Sequence, residues 1–240
     1  GAGDDDLRGE NRIDSITGGA GNDSIDGGTS ADTIIGGTGV DTLIGGTGNH
    51  LDLFVFNQNT DSGVGSGNRD IITDWRDELD QIEFTSGAGS VTFIGAAAFN
   101  SVANEMRYVK SGGSTIIQVD IDGDGTEDFE IEITNGEFDL DAGNFGASVD
   151  ATGLNQYQLT SSDTDSLSGT GANETFYAQN SPHWATSDTV LGGAGQDTLI
   201  LRDGAEAFDT NTYNVSGIEH FEFTNGVNDG QNVIILSLIH

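Results

Sequence analysis

Five aspartates follow one another at nine-residue intervals near the start of this 240-residue chain: Asp5, Asp14, Asp23, Asp32 and Asp41. Two residues after each stands an aliphatic side chain, Leu7, Ile16, Ile25, Ile34 and Leu43, and glycine opens units at Gly9, Gly18, Gly27, Gly36 and Gly45. The unit Gly18-Gly19-Ala20-Gly21-Asn22-Asp23-Ser24-Ile25-Asp26 satisfies the nonapeptide pattern G-G-x-G-x-D-x-U-x at every defined position. The chemistry open to such a set is the capture of hard cations by oxygen. A carboxylate closing each glycine-rich turn, beside bare backbone carbonyls, suits Ca2+, which takes six to eight oxygens at about 2.3–2.6 Å.

Holding those oxygens requires one turn and one strand per unit. The first six residues are expected to form the turn, with glycine supplying the φ > 0 conformations. The last three are expected to form a short strand whose aliphatic residue points inward and stacks on the one two units along. The aspartate is expected to face outward. Turns then alternate between the two edges of a roll, and same-edge turns lie eighteen residues apart. The repeat resembles the RTX family of exported bacterial proteins, whose nonapeptides build a calcium-binding parallel β-roll. The resemblance implies that an ion takes carbonyls two and four plus the aspartate of one turn, and carbonyls one and three plus the aspartate of the next on that edge. On this chain it implies one site at Gly1, Gly3, Asp5, Gly18, Ala20 and Asp23, and a second at Gly19, Gly21, Asp23, Gly36, Thr38 and Asp41. On the other edge it implies a third at Glu10, Arg12, Asp14, Gly27, Thr29 and Asp32.

Two units depart from the pattern. The turn Gly9–Asp14 lacks the second and fourth glycines, and Arg12 brings a cation toward the ion, so the third site is expected to be the weakest. The turn opening at Gly45 carries His50 where aspartate is expected. A fourth site at Gly28, Ser30, Asp32, Gly45, Thr47 and Asp52 requires Asp52 to substitute through a small insertion. His50 itself reads as an exposed loop residue, because Ca2+ prefers oxygen to imidazole.

Composition supports metal-coupled folding. The chain has 40 Asp and Glu against 7 Lys and Arg, a net charge of −33. Self-repulsion strains a compact metal-free state, and bound cations relieve it. The periodic apolar residues, within a hydrophobic fraction of 34%, argue against disorder. The absence of any basic patch excludes a nucleic-acid partner and disfavours an anionic membrane surface unless calcium bridges the two. There is no cysteine, hence no disulfide or thiolate metal site. No apolar stretch reaches the length of a transmembrane helix. Gly1-Ala2-Gly3-Asp4-Asp5 reads as a unit lacking its first glycine, so further sequence is expected ahead of it.

Beyond the repeats, residues 51–150 carry alternating β-type segments: Leu53–Phe56, Ser90–Ile94, Thr115–Val119 and Phe129–Ile133. Asp70-Ile71-Ile72-Thr73-Asp74-Trp75, followed by Asp80-Gln81-Ile82-Glu83-Phe84, resembles the segment that caps the β-roll of serralysin-type metalloproteases. Phe93–Phe99, Asn104–Tyr108 and Asp122–Ile131 follow in the same order, and the resemblance covers about residues 1–145. It does not extend to proteolysis. The 4 histidines, His50, His183, His220 and His240, include no H-E-x-x-H pair. Asp70 is either a ligand completing the last turn or, with Asp74, a cap on a short helical turn or a solvent-facing pair. Asp120-Ile121-Asp122-Gly123-Asp124-Gly125-Thr126-Glu127-Asp128 has the alternating carboxylates of half an EF-hand loop, but Ile131 stands at position twelve and the flanks read as strands. Asp120, Asp122, Asp124 and Asp128 therefore belong to a calcium-binding hairpin or to an acidic turn without metal. No aromatic cluster accompanies any carboxylate pair to suggest glycoside hydrolysis.

From Asp150 onward the theme returns in degenerate form. Gly192-Gly193-Ala194-Gly195-Gln196-Asp197 matches the turn fully. Same-edge pairing is expected to join Asp165 with Asp188, and Glu174 with Asp197, with Gly192 and Ala194 supplying carbonyls. Val215–Phe223 and Val233–Leu236 read as further solenoid strands. This layout is similar to C-terminal parts of bacterial surface-layer and RTX adhesin proteins. Phe54, Phe56, Phe93, Phe129, Phe221 and Phe223 fall at strand spacing and are expected in the core, as are Trp75 and Trp184.

The expected fold is all-β: a parallel β-roll over residues 1–52, a β-sandwich-like cap over 53–149, and a second short β-roll-like unit over 150–240. The expected function is non-catalytic: a structural module that binds several calcium ions and folds on them outside the cell. The resemblance implies type I secretion and an extracellular or cell-surface location. It also implies assembly with copies of itself or other cell-surface components, or else service as the C-terminal carrier of an exported hydrolase.

Overall fold

The computed structural model describes residues 1–57, 59–77, 79–85, 91–146, 149–150, 156–158, 166–178, 189–202 and 214–224. The chain divides into two compact units, Gly1–Asp150 and Ala151–His240. Among the described residues there is no α-helix, and no helix long and apolar enough to cross a membrane.

The first unit begins as a roll of eight short strands: β1 (Asp6–Arg8), β2 (Ser15–Ala20), β3 (Ser24–Asp26), β4 (Thr33–Thr38), β5 (Thr42–Ile44), β6 (Leu53–Phe56), β7 (Asp70–Ile72) and β8 (Gln81–Phe84). Odd strands pair in parallel as β1-β3-β5-β7, and even strands as β2-β4-β6-β8. The register stacks Leu7, Ile25, Leu43 and Ile72 in one row, and Ile16, Ile34, Phe54 and Ile82 in the other. Ile25, Ile34, Leu43, Phe54, Ile72 and Ile82 are buried, each worth roughly 1.5–3 kcal/mol in apolar burial. The three-residue strand expected of each unit is found in β1, β3 and β5, whereas β2 and β4 run for six residues. Strand pairing there continues into the glycine turn, since Gly19 faces Gly37, Ala20 faces Thr38, and Gly21 N–H donates to the Thr38 carbonyl at 2.9 Å.

The cap extends one of the roll's own sheets. Strands β9 (Val91–Phe93), β10 (Glu105–Ser111), β11 (Ser114–Asp120), β12 (Phe129–Ile133) and β13 (Val149–Asp150) follow. Strand β12 pairs in parallel with β7, giving a nine-stranded order β1-β3-β5-β7-β12-β11-β10-β9-β13. Strands β10, β11 and β12 form an antiparallel meander. Gly112 and Gly113, with φ of 65° and 92°, make the first of its turns, the left-handed geometry that a two-residue hairpin favours. The other sheet faces this one over an aromatic cluster, with Phe56 edge-on to Phe129 at 5.6 Å and Phe84 to Phe129 at 5.9 Å. Trp75 is buried against Phe54. Arg69 lies between Glu130 (2.7 Å) and Glu132 (2.8 Å), tying the segment before β7 to β12.

The second unit is a smaller solenoid: β14 (Gln156–Gln158), β15 (Ser166–Ser168), β16 (Thr175–Ala178), β17 (Thr189–Leu191), β18 (Thr198–Arg202), β19 (Asn214–Ser216) and β20 (His220–Thr224). All pairs are parallel, in the orders β14-β16-β18-β20 and β15-β17-β19. Phe176, Val190, Leu199, Ile218 and Phe221 form its core. Trp184, the strand expected at Val233–Leu236 and the side chain of Phe223 lie outside the described residues.

Candidate metal centres

Each turn ends where a strand begins, and the backbone N–H at that point has no partner in the strand ladder. A carboxylate from the next same-edge turn fills the gap. On the first edge, Asp5 N–H donates to Asp23 Oδ1 (2.8 Å), Asp23 N–H to Asp41 Oδ1 (2.7 Å), and Asp41 N–H to Asp70 Oδ1 (2.8 Å). On the second edge, Asp14 N–H donates to Asp32 Oδ1 (2.8 Å), Asp32 N–H to Asp52 Oδ1 (2.8 Å), and Asp52 N–H to Asp80 Oδ1 (3.1 Å). The expectation that the aspartates face outward is therefore corrected. Asp23, Asp32, Asp41, Asp52, Asp70 and Asp80 are buried between turns, because the ladder hydrogen bond draws them inward.

One oxygen of each of these buried carboxylates is spent on that bond, whereas Asp14, at the head of its column, only donates. The other oxygen is not so spent: Oδ2 of Asp14, Asp23, Asp32, Asp41 and Asp70 is buried and meets no hydrogen-bond partner. An unpaired anionic oxygen in a dry site is strongly unfavourable unless a cation meets it. The glycines keep that space open. A Cβ on Gly27 would lie 2.8 Å from Asp32 Oδ2 and 2.6 Å from the Gly45 carbonyl. A Cβ on Gly18 would overlap Asp23 Oδ2 and lie 2.7 Å from the Gly36 carbonyl. On Gly9 it would meet both the Gly27 carbonyl and Asp14 Oδ2. In the second, third and fourth candidate sets, the acid of one turn and carbonyl one of the next thus converge on a single cradle. In the first set, the Gly1 amino group donates to the Gly18 carbonyl, and Asp5 Oδ2 lies beside Gly1. The carbonyls of Gly1, Glu10, Ala20, Gly28 and Thr38 each accept an inter-turn N–H, and each keeps a second lone pair. Glu10 and Arg12 are exposed, as are Gly3 and Thr47; Gly19, Gly21, Thr29 and Ser30 are half-buried. These residues fit Ca2+: oxygen-only donors, carboxylate and carbonyl together, with charge left uncompensated.

Burial is the main cause of the carboxylates' altered acidity. It pushes Asp41 up to about 6, Asp70 to about 8, Asp52 to about 7 and Asp80 to about 6, and raises Asp32 as well. Neighbouring carboxylates add to the rise: Asp23 beside Asp41, Asp41 beside Asp70, and Asp61 beside both Asp41 and Asp70.

At the foot of the roll the reading of Asp70 and Asp74 as a helical cap or solvent-facing pair is also corrected. Asp70 lies in β7, fully buried, as the last rung of the first column. Asp74 accepts from Gly45 N–H (2.8 Å) and Gly46 N–H (2.7 Å), closing the turn above it. His50 is exposed, and Asp52 takes the rung that His50 does not. Sequence reasoning missed Asp80, buried Asp61 and Arg76. Asp80-Gln81-Ile82 carries the same acid-x-apolar triplet as each earlier rung, which is the signal that finds it.

Between β11 and β12, carboxylate oxygens of Asp120, Asp122 and Asp124 lie within 4.8 Å of one another. Asp120 is buried and accepts from Gly123 N–H (2.7 Å) and Gly125 N–H (2.8 Å). Asp128 stands apart from that trio and accepts from Ile121 N–H (2.8 Å) and Asp122 N–H (3.2 Å), which closes the hairpin.

The second unit repeats the ladder. Glu174 N–H donates to Asp197 Oδ1 (2.9 Å), and Asp197 N–H to Glu219 Oε2 (2.8 Å). Glu174 Oε2 and Asp197 Oδ2 are buried without partners. A Cβ on Gly192 would lie 2.6 Å from Asp197 Oδ2, and one on Gly169 would lie 2.7 Å from Glu174 Oε2. Ala194 N–H donates to the Thr170 carbonyl at 3.2 Å. Burial raises Asp197, while the Thr170 hydroxyl lowers Glu174. Glu219 was missed, although Glu219-His220-Phe221 has the rung's triplet. Asp165 and Asp188 lie outside the described residues.

No curated protein matches the chain. Among solved structures, the AlgE6R2 subunit of the Azotobacter vinelandii mannuronan C5-epimerase is similar at 26% identity, over 60% of this chain and 87% of that one, with a TM-score of 0.45. The AlgE6R3 subunit of the same enzyme is similar at 26% identity, over 59% and 78%, with a TM-score of 0.41. Residues 185–211 match the RTX calcium-binding nonapeptide repeat. Residues 6–145 match the Peptidase M10 serralysin C-terminal family, and neither match is to a catalytic domain. The chain carries RTX calcium-binding repeats and belongs to the serralysin C-terminal family.

Proposed function

We propose that the chain is a calcium-dependent folding module of a protein exported by type I secretion, and that it serves in a surface-layer or adhesin assembly. The observation that carries the reading is the row of buried Oδ2 atoms without partners, those of Asp14, Asp23, Asp32 and Asp41 each under a glycine that leaves it room. When bound, calcium supplies the positive charge that lets adjacent carboxylates share one site. The chain's own residues do the rest. Asp23, Asp32 and Asp41 bridge successive turns, with Oδ1 held by the ladder and Oδ2 available to a cation. At low calcium, repulsion within a chain of net charge −33 opposes the stack. At the near-millimolar calcium outside cells, weak oxygen sites fill and the turns lock. The trio Asp120, Asp122 and Asp124 is proposed as a further site in the cap.

The match of residues 6–145 to a peptidase's C-terminal domain favours a second deployment, as the carrier of an exported hydrolase. Calcium titration from EGTA, followed by circular dichroism and light scattering together, tests both. A coil-to-β transition with growth into large particles supports surface assembly. The same transition without change of size supports the carrier. A chain fully folded in EGTA and indifferent to calcium refutes the proposal.

A further inference from the structure

The second acidic column ends differently from the first. Its last two rungs, Asp52 and Asp80, have both carboxylate oxygens engaged, whereas Asp14, Asp23, Asp32, Asp41 and Asp70 each keep a bare Oδ2. A single residue accounts for the difference: the backbone N–H of Arg76 donates to Asp80 Oδ2 (2.9 Å), and its side chain engages both acids. Arg76 donates through Nη2 to Asp52 Oδ2, to Asp80 Oδ1 (2.8 Å) and to the His50 carbonyl (2.9 Å). It donates through Nη1 to the Gly48 carbonyl and through Nε to Asp80 Oδ2 (3.2 Å).

These five oxygens have a pattern. Gly48 is the fourth residue of the turn that opens at Gly45, and Asp52 is the acid that ends it. Asp80 is the acid of the next rung on the same edge. A carbonyl and a carboxylate from one turn, with the carboxylate of the next, are the kinds of donor that the candidate ion sites above it offer. We infer that Arg76 is a resident cation, occupying the place that a divalent ion would otherwise take between the turn ending at Asp52 and the rung at Asp80. The inference rests on the reading that ions bind between same-edge turns.

The guanidinium suits this place. It stays charged at all relevant pH and presents a planar fork of donors that can face two carboxylates at once. Tethered four residues from Asp80, it is present whatever the calcium level. The first column has no counterpart, since Asp70 ends it with Oδ2 bare. The two edges are therefore unequal at their foot: one is closed by the chain's own charge, and the other is left open to a metal ion.

The test counts bound calcium on the full chain at saturating calcium, by equilibrium dialysis and elemental analysis, with circular dichroism as the check on folding. R76A is expected to bind one calcium ion more than the unaltered chain, and to need more calcium to fold. R76K, which keeps the charge, is expected to bind the unaltered number. A folded R76A with an unaltered count overturns the inference and leaves Arg76 as an ordinary ion pair. If R76A does not fold, R76Q, which retains donors for the Gly48 and His50 carbonyls, is judged by the same count. Failure of both variants to fold at any calcium level also overturns it, because a divalent ion then cannot take the place. Absence of calcium binding by the unaltered chain is a separate result: it removes the reading of the roll on which the inference rests.

Discussion

Asp41 receives the backbone N–H of Asp23 on one carboxylate oxygen, at 2.7 Å, and holds the other buried with nothing to bind. The two oxygens thus have separate duties. Oδ1 fixes the register of one turn on the next, which it can do without metal. Oδ2 carries charge that the fold alone leaves uncompensated. The same division recurs at Asp23, Asp32 and Asp70, and at Asp197 in the second unit.

Asp23→Asn and Asp41→Asn separate the duties, because the amide keeps an acceptor for the ladder and loses the charge. Both are expected to raise the calcium midpoint of folding by roughly ten- to hundred-fold, the equivalent of a charged contact worth about 1.5–3 kcal/mol. The alanine variants are expected to raise it further by losing the ladder bond as well. Circular dichroism against free calcium reads both, and an unchanged midpoint in Asp41→Ala refutes the assignment.

Filling the cradle is expected to act as removing the carboxylate does. Gly27→Ala would place a Cβ 2.8 Å from Asp32 Oδ2 and 2.6 Å from the Gly45 carbonyl. It is expected to lower the number of bound calcium ions and raise the folding midpoint. Gly171→Ala, where a Cβ meets nothing within 4 Å, is the matched control and is expected to be silent in calcium counting.

The pH dependence should reverse sign with calcium. Asp41, Asp52 and Asp70 rise from 3.8 to about 6, 7 and 8 in the metal-free fold, first through burial. A folded value above the unfolded one means that the native state binds more protons. Metal-free stability from these groups is therefore fully present below about pH 4 and is lost as pH rises toward 8. With calcium, protons compete for the same oxygens, so the calcium midpoint is expected to rise as pH falls from 8 to 6. Circular dichroism in EGTA across that range, and proton release on adding calcium at pH 7, check the two halves.

The turn Gly9–Asp14 should be improvable. Glu10 and Arg12 sit at φ of 69° and 92°, where a side chain costs about 1–2 kcal/mol per residue. Glu10→Gly with Arg12→Gly removes that strain and also takes away the turn's own cation. The double variant is expected to fold at lower calcium. A midpoint shifted upward in the same titration contradicts this account.

Much of the roll was legible because the nine-residue period sets residue type and register together. Asp23, Asp32 and Asp41 fall where the spacing puts them, and Asp52 takes its rung across the insertion at His50. The lower rungs were harder to see because the period breaks. The upper ladder bonds span 18 residues, but Asp32 to Asp52 spans 20, Asp52 to Asp80 spans 28 and Asp41 to Asp70 spans 29. A search for constant spacing loses Asp80 and Glu219, whereas the acid-x-apolar triplet retains them. The inward carboxylates were missed for another reason: the unsatisfied N–H at the start of each strand exists only once two turns are stacked. Arg76 gives no signal in one dimension, since its partners at Gly48 and Asp52 lie 28 and 24 residues away.

Strand β7 pairs with β5 on one side and with β12 on the other, so roll and cap share one continuous backbone ladder. Tension applied along the roll's axis is then carried by inter-turn bonds in series. Strength in series belongs to whichever rung parts first, however firm the rest. Under a steady pull the first unit is a fuse whose rating is set locally, at its weakest junction between turns.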